Sequence, residues 1–482
     1  MNRDAIKYII GRVYGIFSGL LCLPLLVSFI YQEDRLVKLA WLTAIAISFF
    51  LYIMLGRKKI INVEFYIREG MVICALLWIS LSLIGGLPLY LSGQYPSLVD
   101  GFFEIASGLT TTGSSVCDNV ELLSHSLLFW RSFTHLIGGM GILVFALSLV
   151  PSSKSSLKHM AQAEMPGPTF DKLVAKLSDT ARILYKIYLA MTGFLILLLL
   201  LGGMPLFDSV CHAFGTAGTG GFGIKANSIG YYKSSYIHNV LSIGMLAFSL
   251  NFQIYYLILI KQVRAATSNE ELHWFLAIVF AAVVLISINV APLYNNIFTM
   301  LRDVLFTVSS VVSTTGYCTT DFGTWPIFSH AVLLGLMFIG GCAGSTAGGL
   351  KVSRVGSAVK SAFCELDRQR SPNMVKVISF NGQKINERSQ RSLFSYIVSY
   401  ALVFLFILLI ISIEAGDFQT AFSSVACTFN NIGPGLGKVG PTGGFSWYSP
   451  LSKILLSLGM IAGRLEIWPV LILFSPKTWS NH

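Results

Sequence analysis

Charge is what this 482-residue chain has least of. Asp, Glu, Lys and Arg make up 12% of it against 54% hydrophobic residues, where a soluble domain carries about 25% charged residues. Together with a mean hydropathy of +0.69, this excludes a soluble globular protein. The eight cysteines, at 22, 74, 117, 211, 318, 342, 364 and 427, form no CxxC pair and no metal-ligand spacing, so they read as small buried hydrophobes. HExxH, P-loop and GxSxG patterns are absent, as is a dinucleotide fingerprint, which leaves no catalytic dyad or metal set in view. The chain therefore reads as a non-enzyme without a cofactor of its own, and any nucleotide dependence has to come from another subunit. No cleavable signal peptide is expected, because the first apolar run lacks a small-residue cleavage site and more spans follow it.

What is present is a series of apolar runs of about 20 residues, the length that crosses ~30 Å of hydrocarbon, from near Ile9 to near Phe474. Basic residues concentrate in alternate loops: Arg57, Lys58, Lys59 and Arg68; then Lys154, Lys158, Lys172, Lys176, Arg182 and Lys186. The longest such segment holds Lys351, Arg354, Lys360, Arg368, Arg370, Lys376, Lys384, Arg388 and Arg391. The positive-inside bias places these loops and both termini in the cytoplasm. Orientation in lipid thus accounts for the net charge of +11, and no nucleic-acid partner is needed.

After two opening spans, about 9–31 and 36–55, a unit of span, short apolar run, Gly-containing stretch and span occurs four times. The outer spans run roughly 71–92 and 126–150, 183–203 and 237–260, 272–292 and 327–363, and 394–414 and 450–475. The expected fold is an all-α polytopic membrane protein of ten full spans and four half-length helices. A hairpin and linker (1–69) precede repeats at 70–150, 151–264, 265–390 and 391–482 about a pseudo-fourfold axis. A common register supports the repeat. Gly113, Gly221, Gly316 and Gly433 each lie 13 residues after a capping-type residue (100 to 113, 208 to 221, 303 to 316, 420 to 433). Asp100, Asp208, Asp303 and Thr420 are accordingly expected to be the N-caps of four short helices.

Those short helices end at Thr110-Thr111-Thr112-Gly113, Gly218-Thr219-Gly220-Gly221, Ser313-Thr314-Thr315-Gly316 and Asn430-Asn431-Ile432-Gly433. A helix C-terminus carries about half a negative elementary charge, so four ends aimed at one axis favour a cation. Glycine opens backbone dihedrals closed to other residues, which lets successive carbonyls face the axis and replace an ion's hydration shell. Any one stretch alone is equally an ordinary packing turn between helices in lipid; the fourfold register favours the pore.

A second feature lies in the third unit, where Gly340–Gly349 interrupts the second span with five glycines in ten residues. Each glycine costs ~1 kcal/mol relative to alanine in a helix interior, so the span should break there. Gly340, Gly341, Gly344, Ser345, Thr346, Gly348 and Gly349 would form a flexible plug below the filter or a static kink. Arg464 falls inside the last span, where a charge faces the bundle interior or water. It acts as an electrostatic brake beneath the filter, or else pairs with Glu466 or snorkels to the cytoplasm. Glu104, Asn251, His135 and His212 have no partner at metal-ligand spacing and read as structural polar groups. A carrier working by alternating access is the competing function, since broken helices also serve such proteins.

These motifs resemble one family. The TTTG quartet at 110–113, Asn430-Asn431-Ile432-Gly433-Pro434-Gly435-Leu436-Gly437, the run from Gly340 to Gly349 and Gly463-Arg464-Leu465-Glu466 are similar to the TrkH-type potassium uptake proteins over almost the whole chain. The resemblance implies K⁺ as the transported ion and a homodimer of pores in the bacterial inner membrane. It also implies regulation by a cytosolic, nucleotide-binding TrkA-type subunit. Glycine at all four filter positions implies K⁺ rather than Na⁺. The second unit, richer in glycine, and Cys318 after Tyr317 depart from the family's usual pattern.

Overall fold

The computed structural model describes residues 2–57, 67–141, 177–371 and 377–479. Lys58, Lys59, Lys154, Lys158, Lys172, Lys176, Pro372, Lys376 and the stretch 142–150 lie outside the described residues. Two long helices, α1 (Arg3–Ile30) and α2 (Arg35–Gly56), form the N-terminal hairpin. They cross where Gly11 meets the Gly56 backbone with no room for a Cβ, the close approach that small residues permit in lipid. The hairpin is fastened to the first repeat. Trp41 Nε1 donates to Ser126 Oγ at 3.0 Å, Glu33 accepts the Ser126 N–H at 2.8 Å, and Trp41 and Phe17 stand edge-on to Trp130.

The first repeat comprises α3 (Ile67–Leu91), α4 (Leu98–Leu109) and α5 (His125–Gly139). The second holds α6 (Leu177–Leu201), α7 (Leu206–Gly218), α8 (Ser235–Phe248) and α9 (Phe252–Leu259). The third holds α10 (Glu270–Val290), α11 (Ile297–Val312), α12 (Ile327–Ile339) and α13 (Val352–Arg370), followed by an antiparallel hairpin of β1 (Ser379–Phe380) and β2 (Gln383–Lys384). The fourth holds α14 (Glu387–Ala415), α15 (Phe418–Phe429), α16 (Pro450–Arg464) and α17 (Trp468–Phe474). The basic segment after the glycine run is thus largely helix and hairpin rather than loop.

Six described helices are long and apolar enough to cross a membrane: α1, α2, α3, α6, α10 and α14. Exposed Phe50, Leu197, Phe280 and Leu409 line the outside of four of them, as lipid-facing spans require. The short helices α4, α7, α11 and α15, of 12, 13, 16 and 12 residues, lie inside.

Two expectations are corrected. The N-caps are Ser97, Pro205 and Asp417, 16 residues ahead of the repeat's glycine (97 to 113, 205 to 221, 417 to 433), which puts Asp100, Asp208 and Thr420 in the first turn. Ser97 Oγ takes the Asp100 N–H at 3.1 Å, and Asp417 takes that of Thr420 at 2.8 Å. In the third repeat the helix starts a turn earlier, at the Asn296 cap, and leaves Asp303 in mid-helix. The constant offset is real, but it marks the first turn in three repeats and mid-helix in the third, and the cap in none.

The second correction concerns the second spans, expected to be interrupted only in the third repeat: among the described residues the first helix of each ends early. Helices α5, α8, α12 and α16 have 15, 14, 13 and 15 residues. Between α8 and α9 the axis turns by 92°, and Asn251, expected within a span, is the N-cap of α9, accepting the Gln253 N–H at 2.9 Å. After α16, Glu466 and Ile467 take positive φ, 56° and 70°. The break foreseen at Gly340 is therefore one of several at equivalent places.

Candidate functional site

All four short helices end in the same turn. The N–H of the residue before each repeat glycine reaches back five residues: Thr112 to Ser107 O (2.8 Å), Gly220 to Gly215 O (2.7 Å), Thr315 to Ser310 O (2.9 Å) and Ile432 to Cys427 O (2.8 Å). One residue earlier, Thr111, Thr219, Thr314 and Asn431 stand in the left-handed region with φ of 56°, 55°, 58° and 58°. This is a Schellman ending, ordinarily built on glycine. A β-branched residue there is an outlier, of the kind that persists where the surroundings over-determine it.

The chain then turns again at the four repeat glycines, with φ of +85° at Gly113, +75° at Gly221, +86° at Gly316 and +102° at Gly433. A Cβ at Gly113 would fall on the carbonyl oxygen of Gly220, one at Gly221 on that of Thr315, and one at Gly316 on that of Ile432. At Gly433 it would lie 2.9 Å from the carbonyl oxygen of Thr112. The contacts run from first repeat to second, third, fourth and back to the first. The four stretches named from the sequence thus come together as one closed ring, with Thr110 to Thr112, Thr219, Ser313 to Thr315 and Asn430 to Ile432 all fully buried.

Behind the ring the side chains brace it. Thr110 and Thr112 hydroxyls pair at 2.7 Å, as do those of Ser313 and Thr315 in the third repeat. Asn431 Nδ2 donates to Thr112 Oγ1 at 2.9 Å and to Met460 O at 3.0 Å, and the Tyr400 hydroxyl donates to Asn430 Oδ1 at 2.7 Å. The extra glycines of the second repeat have a steric cause. Gly218 and Gly220 lie directly against the carbonyl and the ring of His135 from α5, and Gly215 against the Tyr317 hydroxyl. His135 bridges the first two repeats, its Nδ1 2.9 Å from Gly108 O and its Nε2 accepting the Phe222 N–H at 3.3 Å.

Glu104 is structural, as the sequence suggests. Arg131 holds it at 2.7 Å, and Ser115 Oγ and the Val116 N–H donate to it at 2.8 and 3.0 Å. Arg131 also lies over the Phe222 ring, 4.2 Å from its centroid. Arg131→Ala would strand a buried carboxylate, at a cost of about 3–5 kcal/mol. The expected result is a marked fall in the thermal midpoint of the detergent-solubilised protein, largely restored by the Arg131→Met, Glu104→Gln pair. His212 likewise has Nδ1 2.8 Å from Asp208 O. Among the described residues no group of three or more His, Cys, Asp or Glu is placed to hold a metal ion.

The segment Gly340–Gly349 passes against three repeats. Its Cys342 N–H donates to Ser249 O (3.0 Å), its Thr346 hydroxyl to Phe248 O (3.0 Å), and its Gly348 N–H to the Thr314 hydroxyl of the ring (2.7 Å). Gly348 also lies against the Asn430 carbonyl, with no space for a Cβ. Arg464 reaches the loop from the fourth repeat. Its Nη1 donates to Thr346 O at 2.6 Å and its Nη2 to Gly138 O and Gly139 O, at 2.8 and 2.7 Å, at the end of α5. Pairing with Glu466 is not what occupies it; Glu466 pairs with Arg354. Glu271, which accepts the Ala343 N–H at 2.7 Å, carries no sequence signal, because an acid at the head of a span looks like any interfacial charge.

Residues 42–481 match the family model of TrkH, described as a cation transport protein. The chain is 36% identical to the Trk system potassium uptake protein TrkH of Salmonella typhimurium, over 99% of this chain and 100% of that protein. It is 31% identical to TrkG of Escherichia coli over the full length of both. The crystal structure of the potassium transporter TrkH from Vibrio parahaemolyticus superposes with a TM-score of 0.88 at 30% identity, covering 100% of each chain. With four re-entrant helices closing one ring inside a multi-pass bundle, and with these matches along the whole chain, the protein belongs to the TrkH family of cation transport proteins.

Proposed function

We propose that the chain is the membrane-spanning pore subunit of a bacterial potassium uptake system, with the ring of four helix ends as its selectivity filter. The closed circle of glycine-to-carbonyl contacts carries this reading. It fixes the backbone of all four stretches around one axis, at the negative ends of four helices, where carbonyl oxygens can stand in for the water of a dehydrated K⁺. The names of the full-length relatives, all potassium uptake proteins, support K⁺ as the ion. The Gly340–Gly349 segment is the gate and Arg464 its latch, since the segment lies against Thr314 and Asn430 of the ring and Arg464 ties its Thr346 carbonyl to the end of α5. The pore works as a homodimer in the inner membrane, with the basic face cytoplasmic and a nucleotide-binding TrkA-type subunit docked on it.

Expression in a bacterium lacking its own K⁺ uptake, together with a TrkA-type subunit, tests this. Growth at low K⁺ should return with the wild-type chain and fail with Gly113→Ser. A wild-type chain that reaches the membrane and restores no growth would overturn the assignment. Flux in proteoliposomes well above carrier turnover separates a pore from an alternating-access carrier.

A further inference from the structure

We infer that Glu271 is a positioning residue for the gate, holding the Gly340–Gly349 loop closed by its middle and linking it to the cytoplasmic hairpin. The inference rests on that loop being the gate. Glu271 is the second residue of α10 and 2% exposed. A single oxygen, Oε1, accepts the N–H of Ala343, halfway along the loop, at 2.7 Å, and the N–H of Ser353, in the first turn of α13, at 3.1 Å. The first amides of a helix have no partner within it, and a carboxylate there makes a charge-assisted bond favoured by the helix dipole. One side chain therefore fastens both the loop and the helix that follows it to the head of α10.

The adjacent Glu270 makes the connection outward. It forms an ion pair with Lys360 of α13 and accepts the Asn381 N–H at 3.1 Å. Asn381, at the tip of the β1–β2 hairpin, returns its Oδ1 to the N–H groups of Glu270 (2.7 Å) and Glu271 (3.2 Å). Lys360 also donates to Ser379 O at 2.9 Å, and Phe380 fills the space over Gly356 of α13. The hairpin thus clamps the head of α10 to α13. A partner that pulls α13 or the hairpin from the cytoplasmic side pulls on the two amides that Glu271 holds.

Cys342, beside Ala343 and fully buried, gives a direct readout. In proteoliposomes of the full-length protein, a maleimide supplied on the cytoplasmic side should label Cys342 faster in Glu271→Ala, by about tenfold, the factor for losing one charge-assisted hydrogen bond. Glu271→Gln, which keeps an acceptor oxygen but not its charge, should fall between. Basal rubidium flux should rise in the same order at unchanged K⁺ over Na⁺ preference. Cys342 labelling at the wild-type rate in both variants, when Arg464→Ala raises it, overturns the role of Glu271 and leaves the gate standing. Faster labelling with unchanged flux supports the hold on the loop and counts against the loop as gate. Equal acceleration at the buried Cys74 of α3 would assign Glu271 to global stability and overturn the inference.

Discussion

Replacing Gly316 with alanine should abolish K⁺ uptake while leaving folding and membrane insertion intact. The residue stands at φ +86°, and its missing Cβ would fall on the carbonyl oxygen of Ile432 and 2.7 Å from Pro434 Cδ. Neither neighbour is a side-chain tip that can swing away. The carbonyl must rotate, and a carbonyl turned from the axis is an ion ligand lost. Strain of about 3 kcal/mol, the upper range for such sites, corresponds to roughly a hundredfold in rate. Gly221→Ala and Gly113→Ala should act alike, since each meets the next repeat's carbonyl in the same way. Gly93→Ala separates this collision from backbone strain alone. Gly93 also has a positive φ, +73°, but nothing within 4 Å of its would-be Cβ. Rubidium uptake by Gly93→Ala cells near the wild-type rate, beside none in Gly316→Ala, is the expected pattern. Normal uptake and ion preference in Gly316→Ala would remove the ring from the permeation path.

The ring was legible because it repeats. Four glycines at one register can be counted from the sequence, and the structure gives each the left-handed φ that only glycine takes easily. What the count cannot separate is a cap from a first-turn residue, since both lie at a fixed distance from the glycine. The sign is nonetheless present in Ser97 and Asp417 themselves, N-cap residue types that stand directly before the short apolar runs. The left-handed threonines were not legible. Threonine has no local preference for that conformation, and it is the helix end, the ring and the braces behind them that hold Thr111, Thr219 and Thr314 there. The glycines of the second repeat stand out from the pattern because their causes, His135 beside Gly218 and Gly220 and Tyr317 beside Gly215, come from other repeats.

The breaks in the second spans divide along the same line. Gly340–Gly349 announces itself by composition. The turn between α8 and α9 passes through Ser249-Leu250-Asn251, with no Gly or Pro to mark it. It exists because Ser249 O accepts the Cys342 N–H at 3.0 Å and the Phe252 N–H donates to Gly344 O at 3.1 Å. These bonds to the Gly340–Gly349 loop replace the helical ones. An apolar run long enough to cross a membrane therefore shows that a segment is buried, not that it is straight. The N-terminal hairpin is legible in its two apolar runs, whereas its attachment through Glu33 and Trp41 to the head of α5 is a tertiary fact with no local signature.

Arg464→Ala should open a leak. The guanidinium ties together parts of three repeats: its own α16, the loop carbonyl of Thr346 at 2.6 Å, and the Gly138 and Gly139 carbonyls of α5 at 2.8 and 2.7 Å. Those α5 carbonyls belong to a helix C-terminus, where a cation is favoured. Bonds to a charged donor contribute about 1.5–3 kcal/mol each, so losing even one weakens the closed state by tenfold or more, at about 1.4 kcal/mol per decade. Removal of the charge also lowers the barrier to a cation leaving the filter inward. Basal rubidium flux without a regulatory subunit should therefore rise by at least about tenfold. Arg464→Lys should lie between, because an ammonium lacks the fork that reaches both sides at once. Glu466→Gln is the discriminating companion: it weakens the pair with Arg354 but leaves the three Arg464 bonds in place. A leak in Arg464→Ala and none in Glu466→Gln places the latch at the guanidinium and its carbonyls. Equal leaks in both would mean that the bend after α16, not the charge beneath the ring, keeps the path closed.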